Sequence, residues 1–390
     1  SHDRCYRNRI TEQYLINSKT GGSDFVRLDG RGEFPSPWVR ATCGLGVLPA
    51  NGLLSSSPYS CTCVSGTMLT SFCALYEEGR AEGRTVDLSP RTRLRKGPAF
   101  DGLVDAMVDG MAAPTRDDWP SYRNTNDRCG VTASAYDGKL ETAWQTKLPS
   151  CPTAPIIVED RVFIAAKDSH TLHALSRRSG ATDWSFVAEG RIDSPPTYHR
   201  GLLLFGCRGG WVYALRATDG TLAWKFNDLP EKRLVSARGQ LESAWPVSGS
   251  VMVHEGVAYF AAGRQTFIDG GIVLYGLDPL TGEVLHRRHM SGPYDAQGFP
   301  RIRQLSGIPQ IEGFKSGIFS AENGLLYIRH QAFRPDLAPV AMEDLKDDHL
   351  LASAGFLDET PQHRTYWSID TDLRYGPAWG TNTPGPQGDI

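Results

Sequence analysis

"PTAPIIVEDRVFIAAKDSHTLHALSRRSGATDW", residues 152–184, returns one unit later as "SPPTYHRGLLLFGCRGGWVYALRATDGTLAW", residues 194–224. Ala174-Leu175, Gly180 and Trp184 recur 40 positions on as Ala214-Leu215, Gly220 and Trp224. A period of this size, with short apolar runs separated by glycine turns, marks a β-propeller or a related solenoid. The tryptophan reads as an aromatic that fills the wedge between neighbouring sheets.

The repeat extends in both directions. Upstream, Gly138 and Trp144 of "DGKLETAW" foreshadow the same pair at a slightly longer spacing. Downstream, "VMVHEGVAYFAAGRQTFIDGGIVLYGLDPLTGEVLHRRH" puts Gly276-Leu277 and Gly282 where they are expected. Asn323-Gly324-Leu325-Leu326 echoes Asn51-Gly52-Leu53-Leu54, and Ala74-Leu75 matches the other Ala-Leu pairs, so a first blade precedes residue 80. Six blades and a partial one can be recognised. Because radial sheets must close into a ring to lose their edges, the expectation is one all-β domain over 1–390, a propeller of seven or eight four-stranded antiparallel blades. The charged stretch 77–116 reads as a long surface insertion after the first blade. Residues 226–246 read as an inter-blade insertion, and 376–390 as a flexible tail.

Composition narrows the function. The formal charge of -3 gives no reason to expect nucleic acid. No apolar run reaches the roughly 18 residues of a membrane-spanning helix. The opening "SHDRCYRNRI" reads as a processed start. The eight cysteines, five of them in the first 73 residues, favour disulfides and an extracytoplasmic, periplasmic or secreted, setting.

"LHALSRRSGATDWSF", "VYALRATDGTLAWKF" and "LYGLDPLTGEVLHRR" resemble the PQQ-binding-like β-propeller repeat family, the quinoprotein-dehydrogenase-like and BamB-like propellers. More narrowly, "DDWPSYRNTNDRCG", "ESAWPVSGSVMVHEGVAYFAAGRQTFIDGG" and "GFLDETPQHRTYW" are similar to secreted planctomycete-type bacterial propellers of unassigned function. The resemblance implies the fold, and its settings lean towards polysaccharide breakdown. Quinoprotein dehydrogenases carry an adjacent Cys-Cys pair; here Thr62 separates Cys61 from Cys63, and no Cys-x-x-Cys-His occurs. No cofactor is expected, PQQ included; a structural or catalytic metal stays open.

Four places could hold chemistry. Cys43, Cys61, Cys63 and Cys73 could hold a metal but read first as disulfides or buried thiols. In 231–245, Arg233, Arg238, Glu242 and Trp245 suit an acidic sugar, a guanidinium on its carboxylate and an indole on its ring. Arg264 and Asp269, with Arg208 and Lys167 at the matching positions of earlier blades, could line one rim or the central channel for an anionic polymer. Finally, His363, Arg364 and Tyr366, with His330 from the preceding blade, could abstract the C5 proton of a uronate and expel the C4 oxygen. The leading expectation is a lyase cleaving an acidic polysaccharide, with His363, Tyr366 and His330 catalytic and Arg208, Arg238, Glu242, Trp245, Arg264, Asp269 and Arg364 binding substrate. The alternatives are a non-catalytic BamB-like scaffold binding a protein or glycan, and a metal or redox enzyme.

Overall fold

A computed structural model describes residues 7–18, 22–57, 73–76, 89–91, 93–102, 114–135, 138–305, 308–329, 331–341, 344–345, 350–352 and 367–369. The chain is a β-propeller. Among the described residues seven of the sheets, taken in chain order, are blades 1 to 7; they begin with Arg9–Ile10, Tyr14–Asn17, Ser23–Arg27 and Glu33–Ser36, followed by the three strands Leu48–Ala50, Leu53–Ser56 and Cys73–Leu75. Blade 3 is Ile156–Val158, Arg161–Ala166, Thr171–Ser176 and Thr182–Val187. Blade 4 is Thr197–His199, Leu202–Gly206, Val212–Arg216 and Leu222–Asn227, and blade 5 is Met252–His254, Val257–Ala262, Ile272–Leu277 and Val284–Met290. Blade 6 runs from Ser320–Glu322 to Pro339–Val340, and Leu350–Ala352 paired with Trp367–Ile369 makes blade 7.

Two details differ from the sequence reading. The N-terminal region holds two sheets, and the described residues of 117–149 form none, so the total is again seven. Part of the insertion 77–116 is not surface excursion: Arg93–Lys96 pairs with the outer strand of blade 4 as a fifth strand.

The continuous apolar runs follow from burial on both faces. In "LLLFG" Leu202 and Leu204 enter the core shared with blade 5, while Leu203 and Phe205 enter the core shared with blade 3. Along Ile272–Leu277, Val273 and Tyr275 turn back to blade 4 while Ile272 and Leu274 turn on to blade 6. The interfaces of blade 4 with blades 3 and 5 also repeat an aromatic wedge. Phe186 packs on the stacked pair Phe205–Tyr213 (5.2 Å), and Phe226 on the stacked pair Phe260–Tyr275 (5.1 Å).

Trp184 and Trp224 join one blade to the next, and Trp144 docks on blade 3 from the stretch that precedes it. Trp144, Trp184 and Trp224 donate from Nε1 to the carbonyls of Arg177, Ala217 and Pro279 (2.8, 3.2 and 3.2 Å). Each ring lies over the following glycine, where a Cβ on Gly180, Gly220 or Gly282 would come within 2.4, 2.5 and 2.9 Å of it. Blade 5 has His286 opposite Gly276 where the earlier blades have tryptophan.

The first strands of the blades gather at the axis. Thr197 Oγ1 of blade 4 and Ser250 Oγ before blade 5 bond to Val251 O and Pro195 O across that junction (2.5 and 2.7 Å). Residues 119–128 run past four of these strands in turn. Trp119 bridges Ile157 and Pro120 O accepts from Tyr198 N. Asn126 reaches Val253 O and also accepts from Ala321 N, while Arg128 Nε donates to Phe319 O. That segment crosses one end of the axis.

Candidate functional site

Antiparallel strands sort the loops by end. In a four-stranded blade, the loops between second and third strands share one end with the connections between blades. Arg208, Arg264 and Asp168 lie in such second-to-third loops, and Arg191, Asp193, Arg238 and Glu242 in the connections. Lys167 lies in the same loop as Asp168, so Lys167, Arg208 and Arg264 occupy matching loops of three successive blades.

The connection from blade 4 to blade 5 carries a hairpin, Leu234–Ala237 paired with Gln240–Ser243, here called the strap. Its two-residue turn places Arg238 (φ 52°) and Gly239 (φ 72°) in the left-handed region, as a primed turn requires. In register, Val235 faces Glu242 and Ser236 faces Leu241. Alternation therefore sends Glu242 to the propeller side and Leu234 and Leu241 to the other. Glu242 is 4% exposed, whereas Leu234 and Leu241 are 58% and 68% exposed.

An alternating chain of charges fixes the strap. Asp168 pairs with Arg191; Arg191 with Asp193 (2.6 Å); Asp193 with Arg208; Arg208 with Glu242 Oε1 (3.1 Å); and Glu242 Oε1 with Arg264 (2.5 Å). Arg238 lies 3.6 Å from Glu242 Oε2. Blades 3, 4 and 5 are thus stitched to one hairpin. Gln240 adds bonds to His170 Nε2 (2.8 Å) and Asp168 O (3.0 Å). At its base Arg233 bonds Asp269 (2.7 Å), lies over the Trp245 ring (5.0 Å), and reaches Tyr76 Oη (3.4 Å). Trp245 Nε1 donates to Asp269 O (2.9 Å).

The electrostatics are uneven. Burial pushes the Asp193 carboxyl up, but Arg208 and Arg191 outweigh it and hold it below the ordinary carboxylate range. Burial, then Arg208, push the Arg238 guanidinium down to about 10.

The structure brings together Arg208, Arg238, Glu242, Trp245, Arg264 and Asp269, all expected to bind substrate. They bind one another. Trp245 is 1% exposed with its ring covered by Arg233, so it packs the base of the strap and offers no open stacking surface. Arg191, Asp193 and Asp168 complete the chain and were not singled out from sequence; their only signal is that Lys167-Asp168 precedes Arg208 by one repeat. His330, His363, Arg364 and Tyr366 lie outside the described residues, as do Cys61 and Cys63.

The expected disulfides are corrected. No disulfide joins any two described residues: Cys129 and Cys151 are exposed thiols, Cys207 is a buried one, and Cys43 is not joined to Cys73. Among the described residues no three His, Cys, Asp or Glu side chains are grouped to hold a metal ion.

A family model described as outer membrane protein assembly factor BamB matches residues 131–338. The chain belongs to that family. Among solved structures it is similar to BamB from Moraxella catarrhalis (13% identity, 87% of each chain, TM-score 0.33). It is also similar to quinohemoprotein alcohol dehydrogenases from Pseudomonas putida HK5 (18%, 61% of this chain and 37% of that one, TM-score 0.42) and Comamonas testosteroni (14%, 62% and 44%, TM-score 0.42). The chain spans less than half the length of either dehydrogenase, and likenesses at this level carry no argument about activity. No curated protein matches it. No helix among the described residues is long and apolar enough to cross a membrane.

Proposed function

We propose that this chain is a non-catalytic docking propeller of the BamB kind, which works outside the cytoplasm and holds a partner protein on its strap. The supporting observation is the strap's two faces. Its propeller face is consumed by Glu242 and the arginines of three blades, while its outer face holds Leu234 and Leu241 in the open on a rigid hairpin. Burying one leucine is worth roughly 1.5–3 kcal/mol, and a pre-ordered pair forms a good anchor for an interface. Family membership supports the same role, as does the extracytoplasmic setting expected of an assembly factor of the outer membrane. The resemblance to secreted planctomycete-type propellers fits that setting without adding a substrate.

The lyase reading gains no support among the described residues, because the side chains meant for an acidic sugar bond to one another. One experiment separates the two. The purified chain and its Leu234→Ser/Leu241→Ser variant are cross-linked to envelope extracts of the source organism, and uronic-acid polysaccharides are assayed in parallel for the unsaturated elimination product. A specific envelope protein, identified by mass spectrometry and lost in the variant, is the expected result. Identical capture by both chains, or turnover of a polysaccharide, would sink the docking role.

A further inference from the structure

Blade 4 carries a strand that its own repeat does not supply. Arg93–Lys96 runs antiparallel to the outer strand Leu222–Asn227, with Arg93 opposite Asn227, Leu94 opposite Phe226, Arg95 opposite Lys225 and Lys96 opposite Trp224. The ladder continues through Gly97 N to Ala223 O (2.7 Å) and Ala99 N to Leu222 O (2.9 Å). Blades 3, 5 and 6 each form four-stranded sheets. The fifth strand comes from the insertion, more than 100 residues from the edge it completes.

The edge reads this segment at defined positions. Leu94 lies against Gly282 beside Trp224, where a Cβ on the glycine would meet Leu94 Cδ1 at 2.7 Å. Ala99 is buried in the core of blades 4 and 5, and Phe100 packs on it. Gly97 passes so near Leu222 that a Cβ would fall 2.3 Å from its carbonyl oxygen, so only glycine fits there. Asp228, whose side chain is wholly buried, accepts from Arg91 N, Tyr275 Oη (2.8 Å) and Arg287 Nε (2.8 Å), and Arg91 Nη1 donates to Pro230 O (2.6 Å).

One contact accounts for a basic residue in the segment. Arg95 stands directly opposite Lys225 and lies over the Trp211 ring (5.3 Å), which Lys225 also approaches (4.5 Å). Lys225 is itself paired with Glu189, so the like charges facing across the ladder are offset by that carboxylate and by the ring.

We propose that the outer edge of blade 4 is a strand-accepting peptide site and that residues 91–100 are an internally carried ligand for it. The ligand it takes is an extended basic segment with leucine three residues before an obligatory glycine and a small apolar residue two after it. Main-chain pairing supplies affinity, and the Leu94, Gly97 and Ala99 positions supply specificity. Release of the internal segment opens the edge to an equivalent segment of another chain. The site is separate from the strap and does not depend on its role.

The test uses the full chain carrying Leu94→Asp and Gly97→Val, chosen to expel the segment without substituting any residue of blade 4. A labelled synthetic peptide of residues 89–102 is titrated by fluorescence anisotropy. Saturable binding to the vacated chain is expected, with wild type weaker by on the order of tenfold because its site is filled. Asp228→Asn in the vacated background should weaken binding several-fold. No binding to a vacated chain that still melts cooperatively overturns the proposal, as does equal binding to wild type. Should the vacated chain not fold, protease sites placed in 77–88 and 103–113 of the wild type allow the segment to be cut free. Its exchange against added peptide supports the proposal; retention without exchange, or loss without rebinding, refutes it.

Discussion

Trp184 of blade 3 lies against Gly220 of blade 4, so near that a Cβ on the glycine would sit 2.5 Å from the indole Cε3. The glycine is needed twice, for its φ of 74° and for the ring above it. The same pairing joins Trp144 to Gly180 and Trp224 to Gly282. For Trp184 and Trp224, what recurs along the chain as a turn glycine and a tryptophan is, in space, an inter-blade joint.

Gly220→Ala should therefore cost about 2–4 kcal/mol, combining backbone strain with displacement of a partly buried indole. Gly239 in the strap has the same backbone sign (φ 72°), but a Cβ added there would meet nothing within 4 Å. Gly239→Ala should cost only about 1–2 kcal/mol. Urea unfolding of the two variants checks this, and equal losses would remove the indole from the account.

Glu242 holds Arg208, Arg238 and Arg264 at once. Glu242→Gln leaves three partly buried guanidiniums without their shared anion and should destabilise the chain by about 3 kcal/mol. The loss should centre on the strap. Amide exchange over 234–243 is expected to rise well before that of blade 5, and uniform exchange across both would show that the chain of charges does not hold the hairpin.

Acid should loosen the same chain within a defined window. Asp193 titrates below its ordinary range in the fold, so its contribution is complete above the unfolded value of about 3.9 and is lost as pH falls through the lower folded one. As far as this group is concerned, stability stays level from neutrality to about pH 4 and then declines. Asp193→Asn should flatten that decline when urea midpoints are compared across pH, and an unchanged profile would exclude Asp193 as its source.

The thiols should divide by burial. Cys207 is 0% exposed and burial pushes its thiol up to about 11, so a thiol reagent should leave it untouched until the chain unfolds. Cys129 and Cys151 are exposed and should react in the native state. Native labelling of Cys207, mapped by mass spectrometry, would contradict its placement.

The sequence by itself determined the propeller, the turn glycines and the positions of the rim, because a repeated pattern imposes the same local backbone each time it occurs. The continuous apolar run along Leu202–Gly206 is the composition that burial on both faces of a sheet selects. Arg208 and Arg264 shared a rim because they follow the same strand in successive blades. Only the tertiary structure decided what these groups do. Glu242 meets Arg208 across 34 residues and Asp193 meets Arg208 across 15, separations that no local period encodes. Trp245 became a packed residue because Arg233 covers it. The strand Arg93–Lys96 found its place on blade 4 because the ladder there, the gap beside Trp224 and the close approach at Leu222 exist only once the blades have assembled. Local periodicity fixes backbone form; the pairing of charges and of strand edges depends on distances through space, which the fold alone sets.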